Sequence, residues 1–189
     1  MTRNPKTTLH DLLRVHADAT ERYPHEYLDV GLNAVGLFFH DPPKNAGYQQ
    51  TPANSITFAS IGVDGIHFGA ITEGSVFEPT APIAVTIPMA FDDPNFIVGE
   101  NLFDFLCLGC RHGFETLANL HLDLDATLNY YASIPDAFFD DRQPAILSLL
   151  EDELGLAPWK DVARHFADLQ GRFKSTLTRS ATHPNQGGG

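Results

Sequence analysis

The chain is poor in cysteine, in positive charge and in long apolar runs, and each shortage removes a class of protein. Its 189 residues include two cysteines, Cys107 and Cys110. No disulfide framework holds it together, so the fold must rest on a packed core. Lys and Arg number 12 against 24 acidic residues, a net charge of -12. A nucleic-acid backbone would be repelled, so no nucleic-acid partner is expected. No apolar run has the length of a membrane span, so no membrane partner is expected. Residues 1–8 are polar and no continuous apolar stretch follows them, which makes a cytoplasmic location the default reading. A Walker loop, H-E-x-x-H, G-x-S-x-G and the dinucleotide glycine fingerprint are all missing from the sequence. No motif therefore identifies a reaction, and no cofactor is expected.

What the chain does have is apolar bulk: 43% hydrophobic residues, with 14 phenylalanines. A globule of this length hides roughly 70% of the surface of its extended chain. The reading is one α+β domain over residues 8–178 followed by a flexible tail, 179–189. Thr7 or Thr8 can cap a helix from Leu9, with Leu9, Leu12, Leu13, His16 and Ala17 on one face. Pro24 can open a second short helix, "PHEYLDVGL". The polar stretch 40–54, with three prolines, excludes regular structure.

Between them, "SITFASI" and "IHFGAI" read as strands joined by "GVDG", and "PIAVTIP" as another strand bounded by prolines. Residues 55–87 are expected to give at least three adjacent antiparallel strands. "NLFDFLCLG" has the wide apolar face of a helix laid on that sheet. "HGFETLANLH" is expected to continue it after a break at Gly113, and "LDLDATLNYYASI" is ambiguous between strand and helix. "PAILSLLEDELG" reads as a helix stopped by Gly155. Trp159, Val162, Phe166, Leu169 and Phe173 form the clearest amphipathic pattern. The fold class is α+β: a mainly antiparallel sheet, helices packed on one face, and extra C-terminal helices.

The candidate chemistry is sparse. Cys107-x-x-Cys110 lies late in an apolar helix, far from the N-terminal dipole that activates such a pair. Both thiols are expected to be reduced, metal-free and packed as small hydrophobes, at least one of them beside the sheet. His121, Asp123 and Asp125 alternate as in a cation loop. Ala126 stands where a calcium loop requires glycine, so solvent-facing positions on an edge strand are the simpler reading. Asp64 and His67 flank the "GVDG" turn and could form an acid–base pair, and Glu100 and Asp104 are spaced to share a helical face. These four are the suspects for a small hydrolase-like enzyme. The simpler reading makes Asp64 a turn residue bonded to backbone and places His67 on a sheet face. The acidic pairs Asp92–Asp93 and Asp140–Asp141, together with Asp64 and His67, are the candidate contacts for a protein partner. An oligomer-forming structural protein is a third possibility.

The order of these motifs resembles the SMI1/KNR4 (SUKH) superfamily over residues 20–120. Pro24 and Tyr27 match its proline-initiated helix. Gly62, Asp64, Gly65 and Phe68 match the glycine-rich turn of its hairpin, and Phe103, Phe105 and Leu106 stand for its later helix of the F-x-x-FL type. The long 40–54 connection and the helices after 135 depart from the compact form. The resemblance implies a non-enzymatic protein-binding domain, of the kind that serves as an immunity protein against a toxin. The acidic charge agrees with a basic toxin domain as partner.

Overall fold

The computed structural model describes residues 7–25 and 29–178. Five strands, Phe38–Lys44 (β1), Ser55–Ser60 (β2), His67–Ile71 (β3), Ile83–Thr86 (β4) and Asn95–Gly99 (β5), lie side by side in chain order. Every neighbouring pair is antiparallel. The helices are Leu9–Arg22 (α1), Leu102–Gly109 (α2), Leu124–Ala132 (α3), Gln143–Leu154 (α4) and Val162–Phe173 (α5). Short 3-10 turns at Gly31–Val35, Glu115–His121 and Lys174–Thr176 complete the order. The α+β reading and the antiparallel strands expected over 55–87 are borne out.

Strand alternation sorts the sheet into two faces. Phe68 pairs with Val85, which pairs with Phe96, and these side chains join the main core. Phe105 of α2 sits at its centre, with ring centroids 5.9, 5.0 and 4.8 Å from Phe58, Phe68 and Phe114. Gly99 permits this approach, since a Cβ there would stand 2.5 Å from the Phe105 nitrogen. On the other face Ile71, Ala84 and Ile97 pack against Leu169 of α5.

The two edge strands are treated differently. β5 is closed by the Gln170 side chain: its Nε2 donates to the Ile97 carbonyl at 2.7 Å, and its Oε1 accepts from the Ile97 N–H at 3.0 Å. An amide from a helix thus takes the place of another strand. β1 is the other edge, and it corrects the sequence reading of 40–54. Pro42 and Pro43 lie within β1 and do not abolish it, because an edge strand can spare N–H groups. The pairing slips between Phe39 and Lys44.

The helix assignments mostly hold. Thr8 caps α1 in a reciprocal arrangement with Asp11. The buried face of α1 is Leu12, Val15 and Ala19, whereas Leu13 is exposed. The expected helix from Pro24 is not continuous: the described residues 24–25 and 29–30 are outside any helix, Val30 is extended, and one 3-10 turn begins at Gly31. Tyr27 and the tail 179–189 lie outside the described residues. "HLDLD" is not a strand. His121 ends a 3-10 turn and Asp123 caps α3 through a bond to the Ala126 N–H, so the alternation was misleading. Gly155 ends α4 with positive φ, as expected. Trp159 precedes α5, which Asp161 caps. Among the described residues no helix is long and apolar enough to cross a membrane.

Candidate functional site

The pairing register brings two turns together. His67 lies opposite Thr86, and Thr86 opposite Asn95. The β2–β3 turn (61–66) and the β4–β5 turn (87–94) therefore emerge at the same end of the sheet. Val63, Met89 and Phe91 on these turns are 60%, 67% and 77% exposed. Asp64, Asp92 and Asp93 are exposed among them. Sequence reasoning found these acids but missed the apolar side chains beside them. Their signal was a bulky residue inside a turn, at positions where polar residues are usual.

The 61–66 turn is built by its backbone. The Ile61 and Ile66 N–H groups donate to the Ile66 and Val63 carbonyls, both at 3.1 Å. Gly62, Asp64 and Gly65 all have positive φ, 85°, 53° and 67°. Asp64 was expected to hold the turn by accepting a backbone bond. Among the described residues no donor reaches its carboxylate; its contribution is instead that aspartate tolerates the left-handed region better than most residues. Two variants separate these roles. Gly65→Val should cost about 2 kcal/mol, from the strained φ and from crowding against the Tyr48 ring. Asp64→Asn should melt within about a degree of the parent, since asparagine accepts the same conformation. Thermal melts of the two proteins check this.

His67 is buried beneath the turn. Its Nδ1 lies 2.7 Å from the Gly65 carbonyl, which can only accept, so Nδ1 carries the proton. The neutral ring then accepts from the Thr51 hydroxyl at Nε2, 3.1 Å away. Its face stacks on Tyr48 at 5.6 Å. Nε2 thus ties the 45–54 connection to β3 and Nδ1 ties the 61–66 turn to it, and among the described residues no hydrogen bond joins His67 to Asp64. The acid–base pair is not assembled, and His67 lies below the contact surface. Burial holds its pKa below the usual histidine value, against the raising effect of the Gly65 carbonyl.

Burial likewise lowers the pKa of His16, His40 and His112. The unfolded chain protonates these rings near pH 6.5 while the folded chain resists, so their stabilisation is complete above that value. It is lost as pH falls from about 6.5 toward the depressed native values. Denaturant titrations should show stability declining over that interval; His67→Gln should flatten the slope, and an unchanged slope would contradict the assignment.

The second pair of suspects is also resolved. Glu100 does not share a helix with Asp104, because Asn101 caps α2 and Glu100 precedes it. The Glu100 N–H donates to the Asp104 carboxylate at 3.0 Å. The carboxylate of Asp104 is buried and meets His165 Nε2 at 2.9 Å, while the Asp104 carbonyl accepts from Trp159 Nε1 at 2.9 Å. Glu100 pairs with Arg172. This cluster, which includes the unanticipated His165, ties the C-terminal segment to α2. No nucleophile with an activating base is part of it.

The remaining acids divide. Asp93 pairs with Lys174, and Asp140 with Arg142, whose hydrogen bonds hold the Asp140 carboxyl below the usual range. Asp140 lies on the helical side of the molecule, where Arg142 reaches the Tyr23 carbonyl and Gln143 the Ala34 carbonyl. Asp92 and Asp141 are exposed. Cys107 and Cys110 are buried and not joined in a disulfide, and burial pushes the Cys110 thiol up to about 12. Among the described residues no three His, Cys, Asp or Glu side chains converge as metal ligands. Comparison with protein-family models, with curated proteins and with solved structures finds no match to the chain. The fold and its surface therefore define the class: an α+β protein with an acidic, apolar-studded sheet end.

Proposed function

We propose that the chain is a non-enzymatic protein-binding domain of the SMI1/KNR4 type, acting in the cytoplasm on a basic partner such as a toxin domain. The observation that carries this reading is the sheet end where Val63, Met89 and Phe91 stand exposed among Asp64, Asp92 and Asp93. Apolar side chains can be buried by a partner and supply affinity, while acidic neighbours and the net charge of -12 speed the encounter with a cationic surface. The enzyme alternative loses support because His67 is engaged on both ring nitrogens and Asp104 is paired with His165.

The test is capture from native cell extract by the full chain and by Phe91→Ser/Met89→Ser, at low and high salt. A basic protein retained by the parent, released by salt and lost with the double variant is the expected result. Equal retention by both would remove this surface from the function.

A further inference from the structure

A cleft of about 250 Å³ opens between β1, the 45–54 connection and the 61–66 turn, beside the docking surface. Its walls include His40, Tyr48, Ser60, Asp64 and His67. Tyr48 is the aromatic wall, 46% exposed although its ring lies on His67. Asp64 supplies an exposed carboxylate, with no donor among the described residues. We propose that this cleft receives an arginine side chain of the partner, its guanidinium lying over Tyr48 and bonded to Asp64.

Arginine fits better than lysine because a planar cation can stack on a ring and still donate to a carboxylate at its edge. The other charges nearby permit it. Burial lowers the pKa of both His40 and His67, so neither competes as a cation at neutral pH. Lys44 is close enough to act on His40, but it is not part of the lining. The positive φ values of Gly62 and Gly65 shape the floor, and a Cβ on Gly65 would stand 2.7 Å from the Tyr48 hydroxyl. This inference rests on the protein-binding reading for its biological meaning, but the cleft can be tested without a partner.

The experiment titrates the isotopically labelled full chain with N-acetylarginine methylamide, followed by amide chemical shifts. The neutral citrulline analogue is the control. Saturable shifts confined to residues 46–48 and 60–67 are expected, with citrulline binding about tenfold more weakly. Asp64→Asn should weaken arginine about fivefold and Tyr48→Leu about threefold. Equal binding of arginine and citrulline, shifts spread over the whole acidic surface, or an unaffected Asp64→Asn would overturn the proposal. If arginine fails while Phe91→Ser/Met89→Ser still loses the partner, only the cleft assignment falls. If arginine saturates the cleft while the partner ignores the double variant, the cleft stands and the docking surface falls.

Discussion

Phe105→Ala should lower the unfolding free energy by about 4 kcal/mol. The ring is fully buried and lies against Phe58, Phe68 and Phe114, which come from two strands and from the segment after α2. Truncation removes apolar burial and leaves a cavity among rings that cannot all move inward. For a chain of this length the melting temperature should drop by about 12 °C. Phe105→Leu should recover more than half of the loss, because it refills most of the volume. Chemical denaturation of the three proteins checks the order. Similar stability for the alanine and leucine variants would mean that the rings do not form the central contact.

Gln170→Leu should cost about 3 kcal/mol. The leucine keeps the apolar stem but abandons both the N–H and the C=O of Ile97, and Ile97 is fully buried. A buried unpaired backbone group is expensive, and here two would appear together. A second consequence follows from topology. β5 is the last strand of the sheet, so losing the amide exposes a bonding edge. Gln170→Leu should therefore also self-associate, visible as a concentration-dependent shift on size-exclusion chromatography. Gln170→Glu keeps an acceptor for the Ile97 N–H and should lie between the two. Full stability in Gln170→Leu would show that water serves the edge equally well.

The hairpin, the turn at 62–65, the helix carrying Phe105 and the helix stop at Gly155 were legible because local chemistry decides them. Glycine marks positive φ, proline bounds a strand, and apolar period marks a face. β1 was not legible. Its prolines argue against a strand, and only its place at the edge, a tertiary fact, makes them tolerable. "NFIVG" was missed as β5 because it is short and runs directly into the α2 cap at Asn101. "HLDLD" misled by alternating, whereas the capping bond of Asp123 fixes the chain as a helix start.

The site was half legible. Asp64, Asp92 and Asp93 could be named from sequence, but their gathering depends on strand register. His67 could be read as an acid–base group or, more simply, as a sheet-face residue; it lies in β3 as a buried connector. His165 and Gln170 gave no local sign, because their partners lie 61 and 73 residues away.

The docking surface is tested most directly by calorimetry with the captured partner, comparing Phe91→Ser with Phe139→Ser. Both phenylalanines are exposed, but Phe139 lies in neither turn, on the segment leading into α4. Phe91→Ser should raise Kd at least about tenfold, as expected for an apolar anchor, with Phe139→Ser within about twofold of the parent. Affinity lost with Phe139→Ser and kept with Phe91→Ser would place the partner on the helical side and contradict the sheet-end surface.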